Sequence, residues 1–250
     1  MYIQNWADAV IVRHRDISML EIMANTLSIP VVNAMTDENH PCEIMSDLYT
    51  LSKIRTDYLR DNYLFVGADG NIGRAWKEAA EAFGFRLNQS SPSRYQVPGV
   101  SCNENLKEAI VGTDIICTDS IPSNMIDDFK DYQISKELMS IANENAILNP
   151  CPPFYKGEEV TEDVINSDYF VGYEFKKNPH TSLISSFLSS VAGSNNMVCP
   201  PRRYTPFSKD TLVLMLDAGK NIMIVFPCIK PLYFSTVSAI WKIFRSSLFV

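Results

Sequence analysis

Four places along the chain deliver reactive side chains where a fold could use them. At residues 40–43 the run His-Pro-Cys-Glu stands just ahead of an amphipathic stretch, and His40 is one of only three histidines. An imidazole at the mouth of a helix can donate to a polar ligand, or it can simply start the helix. At residues 114–119 the run Asp-Ile-Ile-Cys-Thr-Asp reads as a buried strand ending in Asp119, with Ser120, Ser123 and Asn124 in the loop beyond. Ligands of open α/β sheets sit outside the carboxyl ends of the strands, so an acid there is well located to meet an amine. The alternative is a loop or helix cap. At residues 149–153 the run Asn-Pro-Cys-Pro-Pro sets Cys151 after another apolar strand, among prolines that fix the backbone. A thiol so placed is a candidate nucleophile, although activation needs a lowered pKa and no histidine lies near it in sequence.

The fourth place is a glycine-rich turn between a strand and a helix, with Gly67, Gly70 and Gly73. Strand, turn and helix are the ingredients of a phosphate cradle. The spacing is GxxGxxG, not the dinucleotide fingerprint GxGxxG, and about twenty residues on, where a ribose-binding acid belongs, stand Gln89, Ser90 and Ser91. A nucleotide-binding oxidoreductase therefore remains one alternative, beside a tight βα connection that needs flexible glycines. Asn71 opens the following helix, either facing a ligand or capping the helix.

The elements that must position these groups alternate. Short apolar, β-branched runs at 9–13, 29–34, 63–68, 114–119 and 145–150 read as buried strands. Helical patterns at 17–27, 42–56, 72–84 and 135–145 lie between them. Such alternation implies an α/β fold of parallel sheets covered by helices. A polar stretch after Thr50 precedes a fresh βαβ series near Asn62, which divides the chain into residues 1–58, 59–178 and an atypical tail, 179–250. The first domain is expected to be incomplete, because the run Ala9 to Val12 follows the start with no lead-in.

Composition narrows the partners. With 250 residues, 46% hydrophobic, the chain can build a sizeable core. A net charge of -7 and a pI near 5.0, without a basic stripe, disfavour nucleic acid. Six scattered cysteines show neither CxxC nor zinc-ligand spacing, and no secretory signal opens the chain, so a cytoplasmic setting with free thiols is expected. The apolar tail is broken by Asp217, Lys220, Pro227, Lys230 and Pro231, so no run reaches the roughly 20 residues of a spanning helix and a membrane anchor is disfavoured.

Taken in order from about Tyr2 to Lys177, these segments resemble the aspartate/ornithine carbamoyltransferase family, the ornithine branch most. The run WADAVIVRHRD followed by IPVVNAMTDENHPCEIMSDLYTL is similar to that family's strand ending in arginine and its HPCQ segment. The run FKDYQISKELMSIANENAILNPCPPFYKGEEVTEDVINS is similar to its F-x-x-Y-Q helix and HCLP turn. The resemblance implies two-domain subunits in a homotrimer, no metal or organic cofactor, and transfer of a carbamoyl group from carbamoyl phosphate to an amino-acid amine in arginine metabolism. It implies that Arg13, His40, Glu43 and Lys176 hold carbamoyl phosphate. It implies that Asn71, Asp119, Ser123, Asn124, Cys151 and Pro152 hold the amino acid, with Arg13, His40, Asp119 and Cys151 nearest the chemistry.

The chain departs from that pattern in identifiable ways. The glutamine of HPCQ is Glu43, HCLP is Pro150-Cys151-Pro152-Pro153, the Ser-Met-Gly loop is Ser123-Asn124-Met125, and a late arginine is Lys176. A lysine keeps the charge and loses the bidentate fork. The Ser-x-Arg-Thr phosphate motif is expected upstream of this chain, and the tail does not resemble the family's C-terminal helix. A catalytically inactive partner or regulatory subunit of the family is thus a further alternative.

Overall fold

The structure is a computed structural model that describes residues 2–7, 10–29 and 31–172 and the backbone of 222–224. In chain order its regular elements are β1 (Val10–Arg13), α1 (Ile17–Thr26), β2 (Val31–Met35), α2 (Pro41–Ile54), β3 (Asn62–Val66), α3 (Asn71–Phe83), β4 (Arg86–Ser90), β5 (Ser101–Cys102), α4 (Leu106–Ala109), β6 (Ile115–Thr118), α5 (Lys136–Met139), β7 (Ile147–Pro150), α6 (Glu162–Ile165) and β8 (Ile222–Ile224). Among the described residues no helix is long and apolar enough to cross a membrane. Lys176, His180, Cys199, Cys228 and nearly all of the tail lie outside the described residues.

The chain forms two compact units, Met1–Cys42 with His180–Val250, and Glu43–Pro179. In the first, β1 pairs parallel to β2 and antiparallel to β8. Val10, Val12, Leu20 and Val31 form its core. Helix α1 begins where Asp16 accepts a hydrogen bond from the Ser18 amide at 2.9 Å, which satisfies one of the donors a helix start leaves unpaired.

In the second unit five parallel strands run in the order β5-β4-β3-β6-β7. Alternation along the strands sends side chains to two apolar layers. On one face Tyr63, Phe65, Ile115 and Cys117 pack with Ile44, Leu48 and Leu51 of α2 and with Ala75, Trp76 and Ala79 of α3. On the other, Leu64, Val66, Ile116 and Leu148 pack with Ile110, Phe129, Leu138 and Val164. Burial of both faces explains why β3 and β6 are continuous apolar runs.

The strand order reverses between β3 and β6, which opens a crevice at their carboxyl ends. The opposite end is closed by Asp114. Its carboxylate accepts from the Asn62 amide (2.9 Å), the Asn62 Nδ2 (3.3 Å) and the Asn143 Nδ2 (2.8 Å).

Two local expectations change. The helix expected over 135–145 is a single turn, α5, because the Asn143 amide donates to the Thr113 carbonyl (3.0 Å) and its side chain to Gly112 and Asp114, drawing the chain out of the helix. The glycine-rich turn is also different in kind. Gly70 has φ -165°, and none of Gly67, Gly70 and Gly73 has a positive φ. Two of them are glycines for space: a Cβ on Gly73 would lie 2.7 Å from the Phe65 ring and 2.9 Å from Val97, and one on Gly67 would lie 2.8 Å from Phe65.

Candidate functional site

The first unit presents Arg13 and His40. Arg13 ends β1 on the solvent side, where the β1–β2 register shifts and the His14 amide donates to the Met35 carbonyl at 3.0 Å. His40 is delivered by a tight turn after β2. The Asn33 amide group donates to Asn39 Oδ1 at 2.6 Å, and the Thr36 hydroxyl oxygen accepts from the Asn39 amide at 3.1 Å. Pro41 then starts α2, a position where its missing N–H costs nothing. The Cys42 thiol is buried and donates to the Asn33 carbonyl at 3.2 Å, so it fastens the turn to β2.

The second unit brings together Asp119, Cys151 and Glu43. Thr118 and Pro150 are register partners in β6 and β7, and the Cys151 amide donates to the Thr118 carbonyl at 3.0 Å. Asp119 and Cys151 therefore stand side by side where the two strands end. Cys117 packs on the α2 face of the sheet, and alternation carries Asp119 to that same face. Along α2, Glu43 and Asp47 are one turn apart. They meet residues two apart beyond and within β7: Glu43 Oε1 lies 4.0 Å from the Cys151 sulphur, and Asp47 Oδ2 accepts from Asn149 Nδ2 at 2.8 Å. Glu43 occupies the first turn of α2, where the helix dipole favours a carboxylate.

Burial pushes the Asp119 carboxyl up to about 6, with Glu159 and Glu43 adding to the rise and the Ser120 amide, donating at 2.9 Å, opposing it. Asp119 therefore changes charge just below neutral pH. Cys151 is buried, with Glu43 and the Pro152 carbonyl oxygen (3.8 Å) beside its sulphur. Neither offers the positive charge that would stabilise a thiolate. Pro152 is exposed, and the Pro152–Pro153 peptide is cis.

Asn71 is the first residue of α3, and Gly70 takes the capping position, so the helix-cap reading of Asn71 fails. Ser123 and Asn124 are exposed on the loop after Asp119, in a turn closed by the Met125 amide donating to the Pro122 carbonyl at 2.7 Å. The loops bearing Asn71, Asp119 and Cys151 follow β3, β6 and β7, three adjacent strands.

Glu159 escaped sequence reasoning. It is buried and accepts from the Ile121 amide at 2.9 Å and the Tyr155 amide at 2.7 Å, tying the loop after Asp119 to the turn after Cys151. Its neighbour Glu158 carries the same side chain, and only burial separates the two. Among the described residues, no group of three or more His, Cys, Asp and Glu is arranged to hold a metal ion.

Fold and rim together define a parallel α/β protein in which Asp119 and Cys151 stand at the carboxyl ends of neighbouring strands. Residues 1–53 match the model of the aspartate/ornithine carbamoyltransferase carbamoyl-P binding domain, and residues 61–181 that of the Asp/Orn binding domain. The chain belongs to the aspartate/ornithine carbamoyltransferase family. Similar proteins include the ornithine carbamoyltransferase of Methylobacillus flagellatus, 29% identical over 194 residues, which cover 70% of this chain and 63% of that one. The ornithine carbamoyltransferase of Paracidovorax citrulli is 31% identical over the same length and the same shares. Among solved structures, that of the Burkholderia thailandensis ornithine carbamoyltransferase aligns with a TM-score of 0.67 at 27% identity, covering 74% of this chain and 67% of that one. The Campylobacter jejuni anabolic enzyme aligns at 0.70 and 24% identity, over 77% and 71%, and shares the fold. The chain spans about 63% of the length of the first relatives it matches.

Proposed function

We propose that this protein transfers the carbamoyl group of carbamoyl phosphate to the amine of an ornithine-like amino acid, with residues 1–58 serving the carbamoyl phosphate and 59–178 the amino acid, in a homotrimer. The observation that carries the reading is the placement of Asp119 beside Cys151 at the ends of β6 and β7, with Glu43 of α2 next to Cys151. In the reaction the unprotonated amine nitrogen attacks the carbamoyl carbon. A C–N bond forms, the C–O bond to phosphate breaks, phosphate leaves, and the amine gives up one proton.

In this reading Asp119 anchors the amino acid and Asn71, Ser123 and Asn124 orient it. Cys151 and Pro152 line the space beside the reacting amine. Arg13, His40 and Lys176 neutralise the phosphate and polarise the carbonyl, so the rate gain is positional and electrostatic. No cofactor takes part. The test is citrulline formation from L-ornithine and carbamoyl phosphate by the full chain, with loss of product in Asp119→Ala. No turnover with any diamino acid would sink it.

Glu43 favours a second reading, a non-catalytic subunit, because a carboxylate where the family has glutamine repels a phosphate. Absence of turnover together with co-assembly with a complete relative would support that alternative.

A further inference from the structure

The segment Ser93–Val97 contacts the loop before Asn71 on one side and, on the other, the short helix that follows the Ser123–Asn124 loop. On one side the Tyr95 carbonyl accepts two hydrogen bonds, from the Asp69 amide at 2.8 Å and from Gln89 Nε2 at 3.1 Å. The same Gln89 nitrogen donates to the Gly67 carbonyl at 2.8 Å, and Gln89 Oε1 accepts from the Val97 amide at 2.7 Å. Gln89 is fully buried, so this amide stitches the Gly67–Asn71 loop to the segment, with its bonds to Gly67 and Val97 shielded from water. Asp69 is held further by the Arg74 guanidinium, at 2.8 and 3.0 Å.

On the other side the Tyr95 hydroxyl donates to Asp128 Oδ2 at 2.7 Å, and Arg94 pairs with the same carboxylate. The Tyr95 ring packs on Phe129 with centroids 5.5 Å apart. Asp128 and Phe129 belong to the short helix Ile126–Tyr132, which begins two residues after Asn124. One residue thus touches the loop before Asn71 through its carbonyl and, through its hydroxyl and ring, the short helix that follows the Ser123–Asn124 loop.

We propose that Tyr95 is a positioning residue that couples the Asn71 loop to the Ser123–Asn124 loop, so that the two halves of the amino-acid pocket are set as one piece, with Gln89 as the buried clip that makes the coupling rigid. The proposal rests on the amino-acid reading of these loops and extends it to residues that touch no substrate. It also accounts for the glutamine at the position where a dinucleotide site would carry a ribose-binding acid: the amide is consumed in holding the loop.

The test uses Tyr95→Phe in the full chain, which removes only the hydroxyl and keeps the ring on Phe129. Amide hydrogen exchange is read on the far side of the brace, at Ala68 to Asn71. Faster exchange there, with no change in β6 and β7, is the expected result; exchange that rises only at 122–128 overturns the coupling. Gln89→Leu provides the second variant, expected to speed exchange at both loops. Titration with L-ornithine and, separately, carbamoyl phosphate is the functional readout. Tyr95→Phe is expected to weaken ornithine by about five-fold, the scale of one lost hydrogen bond, and to leave carbamoyl phosphate unchanged. Equal weakening of both ligands, or of neither, overturns it. Wild-type protein that binds no ornithine counts against the proposed function, and the exchange result at 68–71 still decides the brace.

Discussion

Asn149 and Asp47 stand 102 residues apart in the chain, and in the buried layer between α2 and β7 the Asn149 amide donates to the Asp47 carboxylate at 2.8 Å. One helical turn along α2 and two residues along β7, the Glu43–Cys151 pair repeats the match. Helix and strand periodicities thus set the register in which α2 meets the rim. Asn149→Leu is expected to destabilise the protein by about 1.5–3 kcal/mol, since it takes a donor from a buried charge. The shift in urea midpoint, at unchanged slope, measures it.

Asp119 gives a pH signature with a definite sign. Its carboxyl titrates near the usual 3.8 when unfolded and at about 6 when folded. Between those values the folded state holds more protons, so its contribution to stability is fully present below the lower value and is lost as pH rises through the upper one. Asp119→Asn should therefore be more stable than wild type at pH 7.5, on the order of 2–3 kcal/mol, with the difference gone by about pH 4. The same variant should lose amino-acid binding. Thermal unfolding across that range tests the first statement, and a variant no more stable at pH 7.5 contradicts it.

Glu43→Gln restores the family's residue. It removes a negative charge that raises Asp119, so the Asp119 midpoint should fall, as read by carboxyl NMR. Affinity for carbamoyl phosphate should rise by about five-fold, the equivalent of roughly 1 kcal/mol for unit charges about 4 Å apart in water. An unchanged dissociation constant would assign Glu43 no part in anion binding.

The glycine-rich turn makes a comparative prediction. Gly73→Ala sets a Cβ against Phe65 and Val97 and should cost about 1–3 kcal/mol. Gly70→Ala meets nothing nearer than 3.8 Å in an extended backbone and should cost well under half of that. Melting temperatures of the two variants decide between glycines kept for space and glycines kept for flexibility.

Much of this architecture was legible in the sequence, and the exceptions share a cause. β3, β6 and β7 are apolar runs because both faces of the sheet are covered. β4, Arg-Leu-Asn-Gln-Ser, lies as far inside the sheet as β6 but is polar, and it was unreadable because Gln89 and Ser90 are buried with their hydrogen bonds satisfied by loops. Asp119 and Cys151 could be placed at strand ends from the sequence; that they stand next to each other, with Glu43 opposite, required the strand order. Tyr95 and Glu159 gave no local signal at all. Their work is to tie distant loops, and no spacing rule reports a contact between residues 33 or 38 positions apart.

The Asp114 cluster has a consequence for how such a protein can change. It secures the amino end of the sheet through Asn62 and Asn143, while Glu43, Asn124, Pro150 and Pro152, four of the departures from the family pattern, lie at the carboxyl end or above it. Substitutions at that rim therefore fall outside the part that keeps the strands in register. One end of the sheet is free to explore new chemistry because the other end is not asked to move.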